Sequence, residues 1–414
     1  MFPTTWSIAV RSITLSLLVL FGASAAFAQT KAYVTDEAEG TVAVIDTATN
    51  TVIANVPVGL APFGIAVTPD GAFAYVANRL SASVSVISGA TDTVVATVPA
   101  FDPIGVAITP DGAFAYVTGG GLFSLGGVVT VISTATNTVT ATIPMGDGPV
   151  AIAITPNGAF AYVIDQFFNV YVISTATNTV VTTINTGHFI QTGVAITPDG
   201  ASVYVTSSSS SDISVISTAT NTVVALVPAG NIDLAGIDFT PNGAFAYVTN
   251  LSLRSVSVID TATSTVAATV PVGKGPIGVA VNPAGTFVYV VNRDDINLSV
   301  ISTATNTVVA TILLGNVPNL VAFPTRTPIR TLIAQVQALA DGGTLTQSQA
   351  GGLIDKLNQI MTKLHDGQTT AACNQLNSFI SQVNALVNNG TLTQAEAQPL
   401  IDAANAIRGS NGCK

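Results

Sequence analysis

Any chemistry in this chain would have to come from single side chains scattered over loops. The two histidines, His188 and His365, lie far apart, and no zinc-type histidine cluster, Cys-x-x-Cys-His haem attachment or Gly-x-Ser-x-Gly nucleophile elbow occurs. His365 falls near a helix end, where a basic group interacts favourably with terminal carbonyls. The remaining acid, base or ion-pairing groups are Asp36, Glu37, Glu39, Asp102, Asp147, Asp165, Asp212, Asp233, Asp294 and Asp295, set against Arg79, Arg254, Lys274 and Arg293. Asp36/Glu37/Glu39 or Asp294/Asp295 could recruit a cation, but neither has the ordered ligand spacing of a calcium loop. A solvated acidic surface accounts for them, and no metal or cofactor is assigned. A channel enzyme would draw on residues such as Asp165, Asn250, Arg254 and Arg293; no catalytic residue is assigned. Phe123, Phe167, Phe168 and Phe189 would give aromatic contacts to a partner if exposed, or fold back under their own loops if not. With a formal charge of −10, nucleic acid is disfavoured as a partner, since phosphate binding depends on basic residues.

These residues punctuate a tandem array. Tyr33, Tyr75, Tyr116, Tyr162, Tyr204, Tyr247 and Tyr289 are each followed by Val, at intervals of 41 to 46 residues. Each unit holds four short β-branched runs separated by Gly, Pro, Asn and Asp, which is the pattern of a β-propeller blade. In the unit from Phe63 to Pro99, Thr68-Pro69-Asp70-Gly71 suits a type I turn between the first two strands. Thr-Ala-Thr-Asn-Thr joins the third and fourth strands at 47–51, 134–138, 175–179, 218–222 and 303–307, with Asn available for left-handed backbone.

Strand arithmetic gives the blade number. The array starts on a second strand, Ala32 to Thr35, and ends on an orphan first strand, Asn319 to Phe323, followed by Pro324 where the turn proline would fall. Six complete first strands plus this one match seven tyrosine strands. The expectation is an all-β seven-bladed β-propeller over residues 29–326, its last blade closed by both chain ends, which removes an open edge.

Both regular turns must lie on one face because strands alternate in direction. The opposite face collects the irregular loops, where binding usually sits on a rigid scaffold. Its candidate ligand-binding residues are Asp36, Glu37, Arg79, Phe123, Asp165, Phe167, Phe168, His188, Arg254, Arg293 and Asp294.

After Pro324 the apolar period changes to that of a helix, with Ile329, Leu332, Ile333, Val336 and Leu339 on one face. The segment Leu332 to Leu339 returns 47 residues later as Phe379 to Leu386, and Gly343-Thr344-Leu345-Thr346-Gln347 returns as Gly390-Thr391-Leu392-Thr393-Gln394. Gly ends one helix and Thr caps the next. Residues 327–414 therefore read as a small all-α four-helix domain made of a duplicated hairpin, with Pro399 kinking the last helix or marking its start. At the other end, Arg11, an apolar run from Ile13 to Phe21 and Ala26-Phe27-Ala28 read as a signal peptide of residues 1–28, cleaved after Ala28. A run of nine apolar residues is shorter than the roughly 20 needed to span a bilayer. The expectation is a secreted, periplasmic or cell-surface protein with no transmembrane segment in the mature chain. In such an oxidising compartment Cys373 and Cys413 would form a disulfide; two free thiols are the alternative.

The repeats resemble the YVTN family of β-propellers. The motif is whole at Tyr247-Val248-Thr249-Asn250 and partial elsewhere, as in Tyr75-Val76-Ala77-Asn78, Tyr289-Val290-Val291-Asn292 and Tyr33-Val34-Thr35-Asp36. The resemblance implies an exported or surface protein, in a superfamily that also holds lactonases and cofactor-dependent oxidoreductases. The tail resembles the FIMAH domain of exported bacterial proteins, over Ala371 to Asn377 and Leu400 to Ile407. Fold does not fix function. The reading taken is a non-catalytic exported binding scaffold whose loop face holds a protein, glycan or cell-envelope component. The alternative is a lactonase- or oxidoreductase-type enzyme working at the central channel.

Overall fold

Seven four-stranded antiparallel sheets close into a ring, followed by four helices. The structure is a computed structural model that describes residues 31–120, 126–146, 148–230, 232–324, 328–365, 368–410 and 413. The proposed signal peptide, Phe123 and Asp147 lie outside the described residues. Blades 1 to 6 occupy residues 62–99, 103–144, 149–185, 191–228, 234–271 and 276–313. Blade 7 takes its innermost strand, Pro318–Ala322, from the end of the array and its other three, Lys31–Asp36, Thr41–Asp46 and Thr51–Pro57, from the beginning. The two chain ends pair antiparallel, Tyr33 opposite Ala322 and Val34 opposite Val321. Pro324 then bridges to Val67 of blade 1.

The letters of the repeat motif each hold a different part of the ring. The tyrosine is buried, and its hydroxyl donates to the asparagine in the outer turn of the next blade. Tyr75 reaches Asn137 at 2.6 Å, Tyr116 reaches Asn178 and Tyr162 reaches Asn221 at 2.7 Å, and Tyr247 reaches Asn306 at 2.9 Å. Tyr289 of blade 6 reaches Asn50 of blade 7 at 3.1 Å. The outer-turn asparagine thus does two things, since Asn137, Asn178 and Asn221 also hold φ at 53°. Burial pushes the phenols of Tyr33, Tyr75, Tyr116, Tyr162 and Tyr289 up to about 12.

The threonine ties neighbouring inner strands together: Thr35 donates to the Phe63 carbonyl and Thr249 to that of Ile277, each at 2.9 Å. Glycine makes this approach possible. A Cβ on Gly64 would stand 2.1 Å from the Ile104 carbonyl oxygen, and one on Gly236 would stand 2.5 Å from that of Ile277. At these glycines the inner strands therefore meet backbone to backbone around the channel, where a side chain would force the two blades apart; blades 3 and 7 carry Ala151 and Leu320 at this position. Between blades the core is made of β-branched side chains such as Val84, Val86 and Ile132 packed on Tyr75. Burial of each is worth about 1.5–3 kcal/mol.

Outer strands are edge strands, and they are uncharged throughout. Each carries a register shift against its neighbour, as between Val86 and Ile87, which twists the edge away from a flat template.

The tail folds as α1 (Pro328–Asp341), α2 (Gln347–His365), α3 (Thr369–Asn388) and α4 (Gln394–Ser410). They bury one core that includes Leu332, Val336, Leu353, Leu376, Phe379 and Leu400. Both duplicated threonines form reciprocal caps. The Thr346 hydroxyl accepts from the Gln349 N–H while the Gln349 side chain accepts from the Thr346 N–H, and Thr393 pairs with Glu396 in the same way. The last helix begins at Gln394 and runs through Pro399, which therefore does not mark its start. Cys373 and Cys413 are joined by a disulfide with Cα atoms 5.5 Å apart. The side chain of His365 lies outside the described residues.

Candidate functional site

Loops after the second strands and loops entering the first strands share one face, and a recurrent backbone bond locks them in pairs. The residue just before a first strand takes a left-handed conformation: Ala61, Asp102, Ile190, Asp233 and Gly275 have φ between 36° and 69°. Its carbonyl accepts from the residue after a second strand, as in Arg79 N–H to Ala61, Ser208 N–H to Ile190 and Arg293 N–H to Gly275. These inner-strand entries are thereby fixed to a neighbouring loop.

The acids mostly hold this face together. Asp36 and Asp165 occupy the fourth position of the repeat motif and are buried. Asp165 accepts from the Phe167 and Asn169 N–H groups, from the Asn169 amide and from the Tyr171 hydroxyl. Asp36 accepts from the Ala38, Glu39, Asn316 and Val317 N–H groups, stitching the closure of blade 7. Glu37 takes a 2.8 Å ion pair from Arg293 and a hydrogen bond from Asn319. Arg79 pairs with Asp102 at 3.7 Å and Lys274 with Asp295 at 3.8 Å. Arg254 is exposed at φ 52°, and Asp294 is exposed beside Gly275. Among the described residues no group of three or more His, Cys, Asp or Glu is arranged to hold a metal.

Beside these exposed charges the face presents apolar groups to solvent. Phe167 and Phe168 of blade 3 meet Phe189, on the entry to blade 4, with ring centroids 5.8 and 5.5 Å apart and planes tilted by 54° and 42°. Phe168 is 40% and Phe189 37% exposed, so this cluster does not fold away. His188 is its half-buried neighbour.

The loops beneath are rigid. The Phe168 carbonyl accepts from the Thr186 N–H, and the Phe189 carbonyl accepts from the hydroxyls of Ser207 and Ser209. Ile190 is held at φ 53°, a conformation that costs a β-branched residue about 1–3 kcal/mol. Under the cluster, the side-chain carbonyl oxygens of Gln166 and Gln191 are buried without a protein donor.

A second apolar group, Leu60, Leu80 and Phe101, is 63–73% exposed around the Arg79–Asp102 pair. Leu251 and Leu253 stand out beside Arg254. Sequence reasoning that selected charges and aromatics passed over these leucines. Their signal was present, because three of the four, Leu80, Leu251 and Leu253, occupy loops after tyrosine strands, where no strand pattern requires an apolar residue.

It also passed over Asp238. This carboxylate stands opposite Tyr247, at the register position where the other blades have Ala66, Ala107, Ala153, Ala195, Ala280 and Ala322. It accepts at 2.8 Å from its own neighbour Phe239 N–H and from Val281 N–H of the next blade. The residue is half-buried, while its carboxyl sits deep among protein atoms. Burial pushes it up to about 6, against the pull of the two backbone donors. Aligning the seven first strands would have shown it as the one charge.

Residues 329–409 match the FIMAH domain. No curated protein matches the chain. Among solved structures the chain is similar to hydrazine synthase of Kuenenia stuttgartiensis, at 27% identity and TM-score 0.61, over 66% of this chain and 93% of that one. It is similar to a functionally unknown protein of Desulfotomaculum acetoxidans at 19% identity and TM-score 0.63, over 71% and 98% of the two chains. It is also similar to the dihydro-heme d1 dehydrogenase NirN, at 16% identity and TM-score 0.53, over 69% and 64%. The last two likenesses concern the fold alone.

Proposed function

We propose that the chain is an exported, non-catalytic binding scaffold whose loop face holds a protein, glycan or cell-envelope component. The observation that carries this reading is the cluster of half-buried Phe167 with exposed Phe168 and Phe189 on loops fixed by internal hydrogen bonds. Rigid aromatics lose little conformational entropy on binding and are common interface anchors. Phe167, Phe168 and His188 are the proposed contacts on this side of the ring, with Arg254, Arg293 and Asp294 at its polar rim. Asp36 and Asp165 act through the loops they organise, and Glu37 and Arg79 through their ion pairs.

Export follows from the signal peptide read at residues 1–28, and a disulfide in the tail suits an oxidising compartment. Mass spectrometry of the natural protein should find Gln29 at its start; a retained leader would remove this part of the proposal.

A second reading has one observation in its favour, the 27% identity with hydrazine synthase, which makes a propeller enzyme acting at the central channel the alternative. The two separate by experiment. The chain from residue 29 is used to probe arrays of glycans, peptidoglycan fragments and envelope extracts, beside the Phe168→Ala/Phe189→Ala variant. Capture that drops at least tenfold in the variant supports the scaffold. Capture by neither, together with turnover in lactone or redox substrate screens, supports the enzyme.

A further inference from the structure

On the face opposite the loops, one blade junction lacks the amide or carboxylate that the outer turn supplies at the others. In five of the seven junctions the outer turn supplies an asparagine that accepts the hydroxyl of the preceding blade's tyrosine. A sixth, facing Tyr33, supplies Asp92, itself held by Lys31 at 2.8 Å. Between blades 4 and 5 the turn has Ser264, which keeps the left-handed conformation at φ 55° but has no side chain long enough to reach Tyr204. Tyr204 is 4% exposed, and its hydroxyl makes no hydrogen bond among the described residues. It opens instead on a cleft of about 230 Å³ lined by Thr197, Pro198, Asp199, Tyr204, Asn242 and Thr261.

We propose that this cleft is a binding site for one ring of a neutral sugar or a comparable small polyol. The volume is below the several hundred Å³ typical of drug-sized ligands and suits a single six-membered ring. The lining fits vicinal hydroxyls: the Asp199 carboxylate accepts, the Asn242 amide donates, and the Tyr204 hydroxyl does either. Pro198, half-buried in the lining, offers apolar surface to the ring's C–H face. Asp199 and the lack of Lys or Arg in the lining turn anionic ligands away. The site is separate from the aromatic cluster, which lies on the other face.

The test titrates the chain from residue 29 with a panel of neutral pyranoses, with glycerol and glucuronate for comparison, by saturation-transfer NMR. At least one pyranose should bind saturably at millimolar concentration, with glucuronate weaker. Ser264→Asn supplies the acceptor that the other junctions have and so competes for the Tyr204 hydroxyl; it should weaken that binding at least tenfold while leaving the melting temperature unchanged or raised. Tyr204→Phe should weaken it several-fold, and Phe168→Ala should leave it unaltered. If no pyranose binds saturably, or if binding survives Ser264→Asn in a folded protein, the cleft holds water only and the proposal is overturned.

Discussion

Replacing Asp238 by alanine gives blade 5 the residue found at this register in the other six blades, and its effect can be worked from one carboxyl. In the unfolded chain that carboxyl titrates at its ordinary 3.8, and in the fold burial pushes it up to about 6. A group raised on folding contributes stability that is fully present below the unfolded value and is lost as pH rises through the folded one. Of the total, about 1.4 kcal/mol falls between pH 5 and pH 8, the rest having gone between pH 3 and 5. For a domain of this size that corresponds to roughly 2–5 °C in melting temperature. The assay is differential scanning calorimetry of wild type, Asp238→Ala and Asp238→Asn at half-unit steps from pH 5 to 8. The gap between either variant and wild type should widen in the variant's favour by a few degrees as pH rises. Parallel curves would refute the reasoning, because they would mean that Asp238 ionises in the fold as easily as in the unfolded chain.

Other consequences follow from the same ring. Tyr75→Phe should destabilise by about 0.5–1.5 kcal/mol and Asn137→Ala by more, since it also leaves alanine at φ 53°, and the double variant should lose less than the sum because the two share one hydrogen bond; additive losses in urea melts would show that the pair is not coupled. Gly64→Ala sets a Cβ 2.1 Å from the Ile104 carbonyl and should cost about 1–3 kcal/mol or more. By contrast Gly351→Ala meets nothing within 4 Å in α2 and should gain about 0.5–1 kcal/mol; circular-dichroism melts of both check the pair. Five tyrosines pushed up to about 12 favour the fold fully below pH 10 and lose that contribution as pH rises towards 12. Absorbance at 295 nm should therefore rise together with unfolding, not before it. Removing the disulfide with Cys373→Ser should cost the helical tail about 2–4 kcal/mol, and an unchanged tail transition would contradict it.

The architecture was legible because each blade repeats one solution to one packing problem. Tyr-Val marks the second strand, Thr-Pro-Asp-Gly turns the chain, and an orphan strand ending at Pro324 could only complete blade 7. Within the motif, strand patterning gave the tyrosine its place but not its partner, since the Tyr75 to Asn137 bond crosses between blades. The glycines of the first strands carry no signal in strand patterning, and their reason is the backbone contact at the channel. The site was less legible. Asp36 and Asp165 drew attention as charges on loops, yet they stand where the motif has Asn, and that position orders the loop from below. Leu60, Leu80 and Phe101 drew none, although their exposure defines the second apolar patch. Asp238 and Ser264 are single departures from a repeat, and only alignment of the seven copies brings them out.

The central claim is that the aromatic loops of blades 3 and 4 bind. Hydrogen exchange read by mass spectrometry, with and without a ligand captured from the array, tests it most directly. The account predicts protection of segments 166–169 and 186–191 on ligand addition, with the inner strands unchanged. Protection confined to the inner strands around the channel, with those loops unaffected, would contradict it and favour the enzyme.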